Sequence, residues 1–254
     1  MILAQSRTVT VERITRPDGV EVVRKTYSFP TAKDRRRSAL RGTWIGRNKA
    51  HREFANLQFL RRADVPAVEP LCWTAERNQL GFVQQCTLET RAYDATDLAK
   101  RMQKAGGDPS RIPAPEVWQQ IGASVWKMHE AGFWHRGLSP RNLLLDDIDT
   151  DPADVSLHWL DPAKSLTWRP GALSITRKAL DLLRFWTPLQ PHLPEQHQQA
   201  FARGYGNAES LALPELWDTI PNWKRASTRR ELQREEARME LAPVPQQGHN
   251  PEQP

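Results

Sequence analysis

Residues 8–14, TVTVERI, alternate apolar and polar positions with the two-residue period of a strand. VEVVRKTY (20–27) does the same after the turn signal Pro17-Asp18-Gly19, so the two read as a hairpin. The period then changes. In NKAHREFANLQFLRRA (48–63) Phe54, Leu57 and Leu60 recur every third residue, which predicts a helix closed by Val65-Pro66. VEPLCW (68–73) and LGFVQQCTLE (80–89) return to strand character. Beyond them ATDLAKRM starts a short helix capped near Thr96 or Asp97. PEVWQQIGASVWKMHEAG (115–132) predicts a long one with the apolar face Val117, Ile121, Val125 and Met128 and a stop at Gly132. Two short apolar strands follow, Leu143–Leu145 and one ending at Asp161. Helices are expected over 175–186 and 194–206, with one exposed charged helix from Lys224. PVPQQGHNPEQP (243–254) has almost no apolar content and should be disordered. There is no internal repeat.

Composition narrows this only a little. Hydrophobic residues make up 39% of 254, with ten Trp, enough to bury a core, and the net charge of +6 favours an anionic partner. Cys72 and Cys86 form no CxxC or Cys/His cluster, so no zinc site is indicated, and reduced thiols are expected. The first residues, MILAQSRTVTVERI, lack the apolar core and cleavage site of a signal peptide, and no run approaches the length of a membrane span. A cytoplasmic location is expected, with attachment to the periphery of the inner membrane as an extension of it.

Five chemically distinctive elements occur in a telling order. Lys25 lies near the end of a strand, Glu53 on the next helix, His135-Arg136 open a loop, Asn142 precedes an apolar strand, and Asp161 ends another. Phosphoryl transfer from ATP uses such a set: a lysine on the α- and β-phosphates, a helix glutamate orienting it, and an Asn and an Asp holding Mg²⁺. Each residue alone has a blander reading. Lys25 could be a solvated strand lysine, and Glu53 could pair with Lys49 four positions earlier. Asn142 and Asp161 could be turn residues. His135 and Arg136 read as loop-holding rather than chemical, and Asp146 and Asp147 as loop solvation rather than substitute bases. The basic run Lys33, Arg35, Arg36, Arg37, Arg41 could meet a phosphorylated sugar or an anionic head group, or could simply be solvated.

The segment HRGLSPRNLLL resembles the H-R-D-L-x-x-x-N loop of protein kinases, with Asn142 five positions after Gly137 as in that motif. RNKAHREFANLQFLRRADVPAVEPL resembles the corresponding helix of the bacterial lipopolysaccharide kinases, of the Kdo kinase and core-heptose kinase type. RKALDLLRF and QAFARGYG resemble that family's C-terminal helices, so the likeness runs over about residues 8–206. It implies an α+β, two-lobed kinase-like fold, with a β-rich lobe over 1–89, a helical lobe over 90–224 and a charged, partly disordered tail over 225–254. It implies ATP and Mg²⁺ as cofactors, Lys25 and Glu53 at the nucleotide, and Asn142 and Asp161 at the metal. Two departures stand out. Gly137 occupies the place of the catalytic aspartate, and a glycine can neither accept a proton nor orient a hydroxyl. The glycine-rich loop is also missing, since TVERITRPDGVEVV holds one glycine. Three functions follow: a phosphotransferase acting on a lipopolysaccharide core sugar or a similar hydroxyl; a pseudokinase that binds nucleotide or a partner and regulates or scaffolds; and a basic nucleic-acid-binding module, which little beyond charge supports. The expected partners are ATP and a phosphorylated glycolipid or anionic membrane surface, and the expected state is a monomer.

Overall fold

The computed structural model describes residues 1–34, 44, 46–146, 155–206 and 213–239. The chain falls into two compact units. Residues 1–95, 127–137 and 156–172 form the first; 96–126, 138–155 and 173 onward form the second.

The first unit is built on a five-stranded antiparallel sheet in the order β1-β2-β3-β5-β4, from β1 (Ile2–Gln5), β2 (Val9–Thr15), β3 (Glu21–Ser28), β4 (Pro70–Arg77) and β5 (Val83–Arg91). The expected hairpin is β2–β3, turned at Gly19 with φ 81°. β1 lies outside the sequence expectation. Helix α1 (Lys49–Arg62) packs against β3, β4 and β5. Asn48 caps it, its side-chain oxygen accepting from the His51 amide at 2.8 Å. Its buried residues are Ala50, Glu53, Leu57 and Leu60, whose spacing of three, four and three places one carboxylate on the core-facing stripe. Short β7 (Phe133–Trp134) pairs with β10 (Leu166–Thr167), and β9 (Leu157–Trp159) is held to the α1–β4 connection by a parallel bridge between Trp159 and Ala67.

The second unit is mostly helical. β6 (Thr96–Asp97) pairs with β8 (Leu143–Leu145), and α2 (Leu98–Ala105) begins at Asp97, whose side chain accepts from the Lys100 amide. α3 (Pro115–Glu130) gives it residues through Trp126. α4 (Ile175–Trp186), α5 (Glu195–Gly204), α6 (Leu213–Asp218) and α7 (Asn222–Met239) follow. The core gathers Trp118, Ile121, Leu183, Trp186 and Phe201, with Trp186 stacked on Phe201 at 4.4 Å between ring centroids. α3 and α5 meet backbone to backbone. A Cβ on Gly204 would stand 2.0 Å from the Gln119 carbonyl oxygen, and one on Gly122 would stand 2.2 Å from that of Phe201.

The C-terminal charged run differs from its expectation. α7 is polar all round, yet it is docked against α2 and α4, with Thr228 and Leu232 almost wholly buried. Glu231 accepts two hydrogen bonds from Arg184 of α4. The chain therefore does not become a solvated helix at Lys224. No helix among the described residues is long and apolar enough to cross a membrane.

Candidate functional site

In the first unit Lys25, Glu53 and Asp161 come together. Lys25 Nζ donates to Glu53 Oε1 at 3.1 Å and to Asp161 Oδ1 at 2.5 Å. The local reasons are plain. Lys25 and Tyr27 are two apart on central strand β3 and so share a face. Glu53 belongs to the buried stripe of α1, where the Tyr27 hydroxyl donates to its second oxygen, Oε2. Asn56, three residues on and on the same side of the helix, donates to the Pro162 carbonyl at 2.8 Å and so fixes the residue after Asp161. Asp161 has φ 57°, in the left-handed region that few non-glycine residues adopt; strain of this kind gathers at sites where geometry is over-determined.

The electrostatics follow from burial. Glu53 is 3% exposed. Burial disfavours charge on Lys25, but the facing carboxylates of Glu53 and Asp161 outweigh it and hold its pKa well above the usual lysine value. Burial likewise raises Glu53 above the ordinary carboxylate range, with Lys25 opposing. Tyr27 is raised too, by burial and then by the Glu53 charge, so its hydroxyl stays a donor. The result is a fixed ammonium with one buried and one half-exposed carboxylate, an arrangement that can meet an anion and a hard cation side by side.

Glu53 therefore pairs with Lys25 and not with Lys49, whose ammonium lies over the Tyr27 and Phe29 rings. His135 is buried among the rings of Phe133 and Trp159, and its carbonyl accepts from Ser165 Oγ at 2.9 Å. Arg136, with φ 62°, sets its guanidinium over Trp134 and reaches the Lys164 carbonyl. Gly137 has no left-handed φ, and a Cβ there would meet only His135 Nδ1 at 3.9 Å. Asn142 lies in the second unit, ending a 3-10 turn over Pro140–Asn142; its amide donates to the Ser139 carbonyl at 2.9 Å. Asp146 is half-buried beside β8, while Asp147 and Arg35, Arg36, Arg37 and Arg41 of the basic run lie outside the described residues.

Three contributors were not anticipated from the sequence. Tyr27 was signalled by its i+2 spacing from Lys25, and Asn56 by its i+3 spacing from Glu53. Glu235 of α7 carried no local signal. It reaches the loop of Gly137 and Asn142 from 94 residues away, as the partner of Arg141.

Comparison with known proteins places this geometry. The family model for "Lipopolysaccharide kinase (Kdo/WaaP) family" matches residues 5–205, more than half of the chain. A 3-deoxy-D-manno-octulosonic acid kinase of Vibrio vulnificus is 34% identical over 110 residues, 42% of this chain and 44% of that protein. One from Haemophilus influenzae is 30% identical over 121 residues, 47% of this chain and 46% of that protein. The match thus spans under half the length of these curated relatives. Among solved structures, WaaP in complex with acyl carrier protein aligns with TM-score 0.58 at 18% identity, over 94% of this chain and 88% of that one. The Rio2 kinase from Chaetomium thermophilum, as its ADP/Mg²⁺-phosphoaspartate complex, aligns with TM-score 0.53 at 15% identity, over 94% and 70%. At these identities the likeness speaks for the fold, which is α+β and kinase-like.

Proposed function

The chain belongs to the lipopolysaccharide kinase (Kdo/WaaP) family, and from that premise we propose that it binds ATP with Mg²⁺ and transfers the γ-phosphoryl group to a hydroxyl of a lipopolysaccharide core sugar or similar acceptor, at a rate lowered by the missing loop aspartate. The observation that carries the reading is the three-residue cluster: Lys25 held between Glu53 and Asp161. In the proposal the Lys25 ammonium meets the α- and β-phosphates and Glu53 keeps it in place. The donor chemistry suits Mg²⁺, which takes hard oxygens from one or two carboxylates and completes its shell with phosphates and water. Asp161, with a side chain 44% exposed, offers such an oxygen. Asn142 is assigned to the metal by its place in the loop motif alone. When bound, Mg²⁺ neutralises charge on the phosphates.

A second reading has its own observation. Gly137 leaves the loop with no carboxylate at the base position, which favours a pseudokinase that binds nucleotide and acts as a regulator or scaffold. Both readings expect nucleotide binding, and both place the protein in the cytoplasm or at the inner face of a membrane, acting on or near an anionic glycolipid.

The test is thermal denaturation with and without ATP and Mg²⁺, followed by mass spectrometry for ADP. A ligand at 100 times its Kd adds about 2.7 kcal/mol of stability to the native state. A clear upward shift that Lys25→Ala and Asp161→Asn abolish is expected. No shift at millimolar ATP would remove the nucleotide from both readings.

A further inference from the structure

We infer that Glu235 is a positioning residue for the degenerate loop, a carboxylate brought from the C-terminal helix to order a turn that has lost its own; the link to Asn142 and metal rests on the function proposed above. The Glu235 side chain is 14% exposed. It accepts from Ser139 Oγ at 2.5 Å, from Arg141 Nε at 3.1 Å, and from Arg141 Nη2 at 2.9 Å to one oxygen and 3.3 Å to the other. Hydrogen bonds from a guanidinium to a carboxylate are charge-assisted and stronger than neutral ones, and the two-pronged fit fixes orientation as well as distance. Ser139 and Arg141 bracket Pro140 in the 3-10 turn, and the next residue is Asn142, whose amide is bonded back to Ser139. One carboxylate therefore grips the residues on both sides of Pro140 in the turn that presents Asn142.

Two further observations make this more than a surface pair. Gly137, two residues before Ser139, has no side chain through which the loop could anchor itself, and glycine loses more backbone freedom on ordering than any other residue. An external anchor offsets that freedom. Second, α7 is polar all round, and a helix of that kind is not held by an apolar stripe. Beside the buried Thr228 and Leu232, charge contacts hold it: Arg225 to Asp218, Glu231 to Arg184 of α4, and Glu235 to the loop. The last of these ties the loop to α7. The helix lies beyond the residues that match the family model, so the family pattern does not account for it.

The experiment uses the full chain and four variants: Glu235→Ala, which removes the grip; Glu235→Gln, which keeps an acceptor for Ser139 but loses the ion pair; Arg184→Ala, which loosens α7 without touching the loop; and Asn142→Ala. Hydrogen exchange followed by mass spectrometry compares peptides over 138–145 with peptides over 226–234. Glu235→Ala should speed loop exchange at least tenfold with the α7 peptide still protected, Glu235→Gln should fall between it and wild type, and Arg184→Ala should act on α7 first. The second readout is the affinity for Mn²⁺ with ATP. Glu235→Ala should weaken it several-fold, and combining it with Asn142→Ala should add little, because both changes act through one group. Unchanged loop exchange in Glu235→Ala, or loop and helix loosening to the same degree, would overturn the inference, as would fully additive effects on Mn²⁺ binding. If wild type binds no Mn²⁺ with ATP, the proposed function fails, and exchange alone decides whether Glu235 orders the loop.

Discussion

Replacing Lys25 with methionine keeps the length of the side chain and removes its charge. Glu53 is then left 3% exposed with the Tyr27 hydroxyl as its remaining hydrogen-bond donor among the described residues. Removing one member of a buried ion pair typically costs about 3–5 kcal/mol, because an uncompensated charge stays behind. In a chain of this size each kcal/mol corresponds to roughly 2–4 °C, so a fall in melting temperature on the order of 10 °C is expected at pH 7.5. Glu53 can escape by taking up a proton. Without Lys25 to oppose it, burial raises its folded-state pKa further above the ordinary glutamate value of about 4.3 that it has in the unfolded chain. A folded pKa above the unfolded one gives stability that is fully present below the unfolded value and is lost as pH rises through the folded value. Relative to wild type, the variant should therefore be least destabilised near pH 5 and progressively more so toward pH 8, with a slope of at most about 1.4 kcal/mol per pH unit. Urea denaturation from pH 5 to 8 for wild type, Lys25→Met, Glu53→Gln and the double variant measures this. The double variant should recover much of the loss and should lack the slope. A Lys25→Met deficit that is flat with pH, or a double variant as unstable as the sum of the singles, would refute the buried-pair reasoning.

Three other outcomes follow. Gly204→Ala should destabilise by at least about 1–3 kcal/mol in calorimetry, since its methyl would overlap the Gln119 carbonyl and force α3 and α5 apart; an unchanged melting temperature would show that the helices can slide. Truncation after Lys224 should lower the melting temperature by several degrees, because Leu232 alone represents about 1.5–3 kcal/mol of burial; a fully stable truncated chain would mean that α7 is dispensable. His197 is buried in α5, and burial lowers its pKa below 6.5, with Glu116 partly opposing. Its neutral form is the one the fold favours, so its contribution is present above pH 6.5 and is lost on acidification. Stability should fall between pH 6.5 and 5 by less in His197→Phe than in wild type, as read by thermal melts.

Much of the fold was legible because the period of the apolar pattern is itself a local property. β2, β3, α1, α3 and α4 stand within a residue or two of where alternation or three-residue spacing put them. Lys25, Glu53 and Asp161 were legible as an ordered set, although their meeting was not, since no pattern in β3 announces which carboxylate its lysine will reach. The sequence read Glu53 as open to a local pair with Lys49 because a charged residue on a helix is ordinarily solvated; the buried stripe of α1 decides otherwise. β1 escaped because four exposed residues at a sheet edge carry no alternation of burial. α7 was misjudged for the same reason in reverse. Its polar composition signals solvent, and what docks it is a few charge contacts and the buried Thr228 and Leu232, none of which has a period. Gly137 was legible as a missing carboxylate, but its backbone was not: only the structure shows that φ lies outside the left-handed region and that space for a Cβ is open.

That open space allows the most direct test of the central claim, that the chain keeps the phosphate-binding residues of its family while lacking the base. Single-turnover conversion of ATP to ADP in the presence of the proposed acceptor class, a lipopolysaccharide core sugar, is measured for wild type, Gly137→Ala and Gly137→Asp. A Cβ at position 137 meets no close neighbour and needs no left-handed φ, so all three proteins should melt within a few degrees of one another. A positioned general base contributes about 10²–10⁴-fold, and Gly137→Asp should gain acceptor-dependent transfer of that order while Gly137→Ala stays at the wild-type rate. Equal rates for all three, with the proteins folded and ATP bound, would contradict the claim.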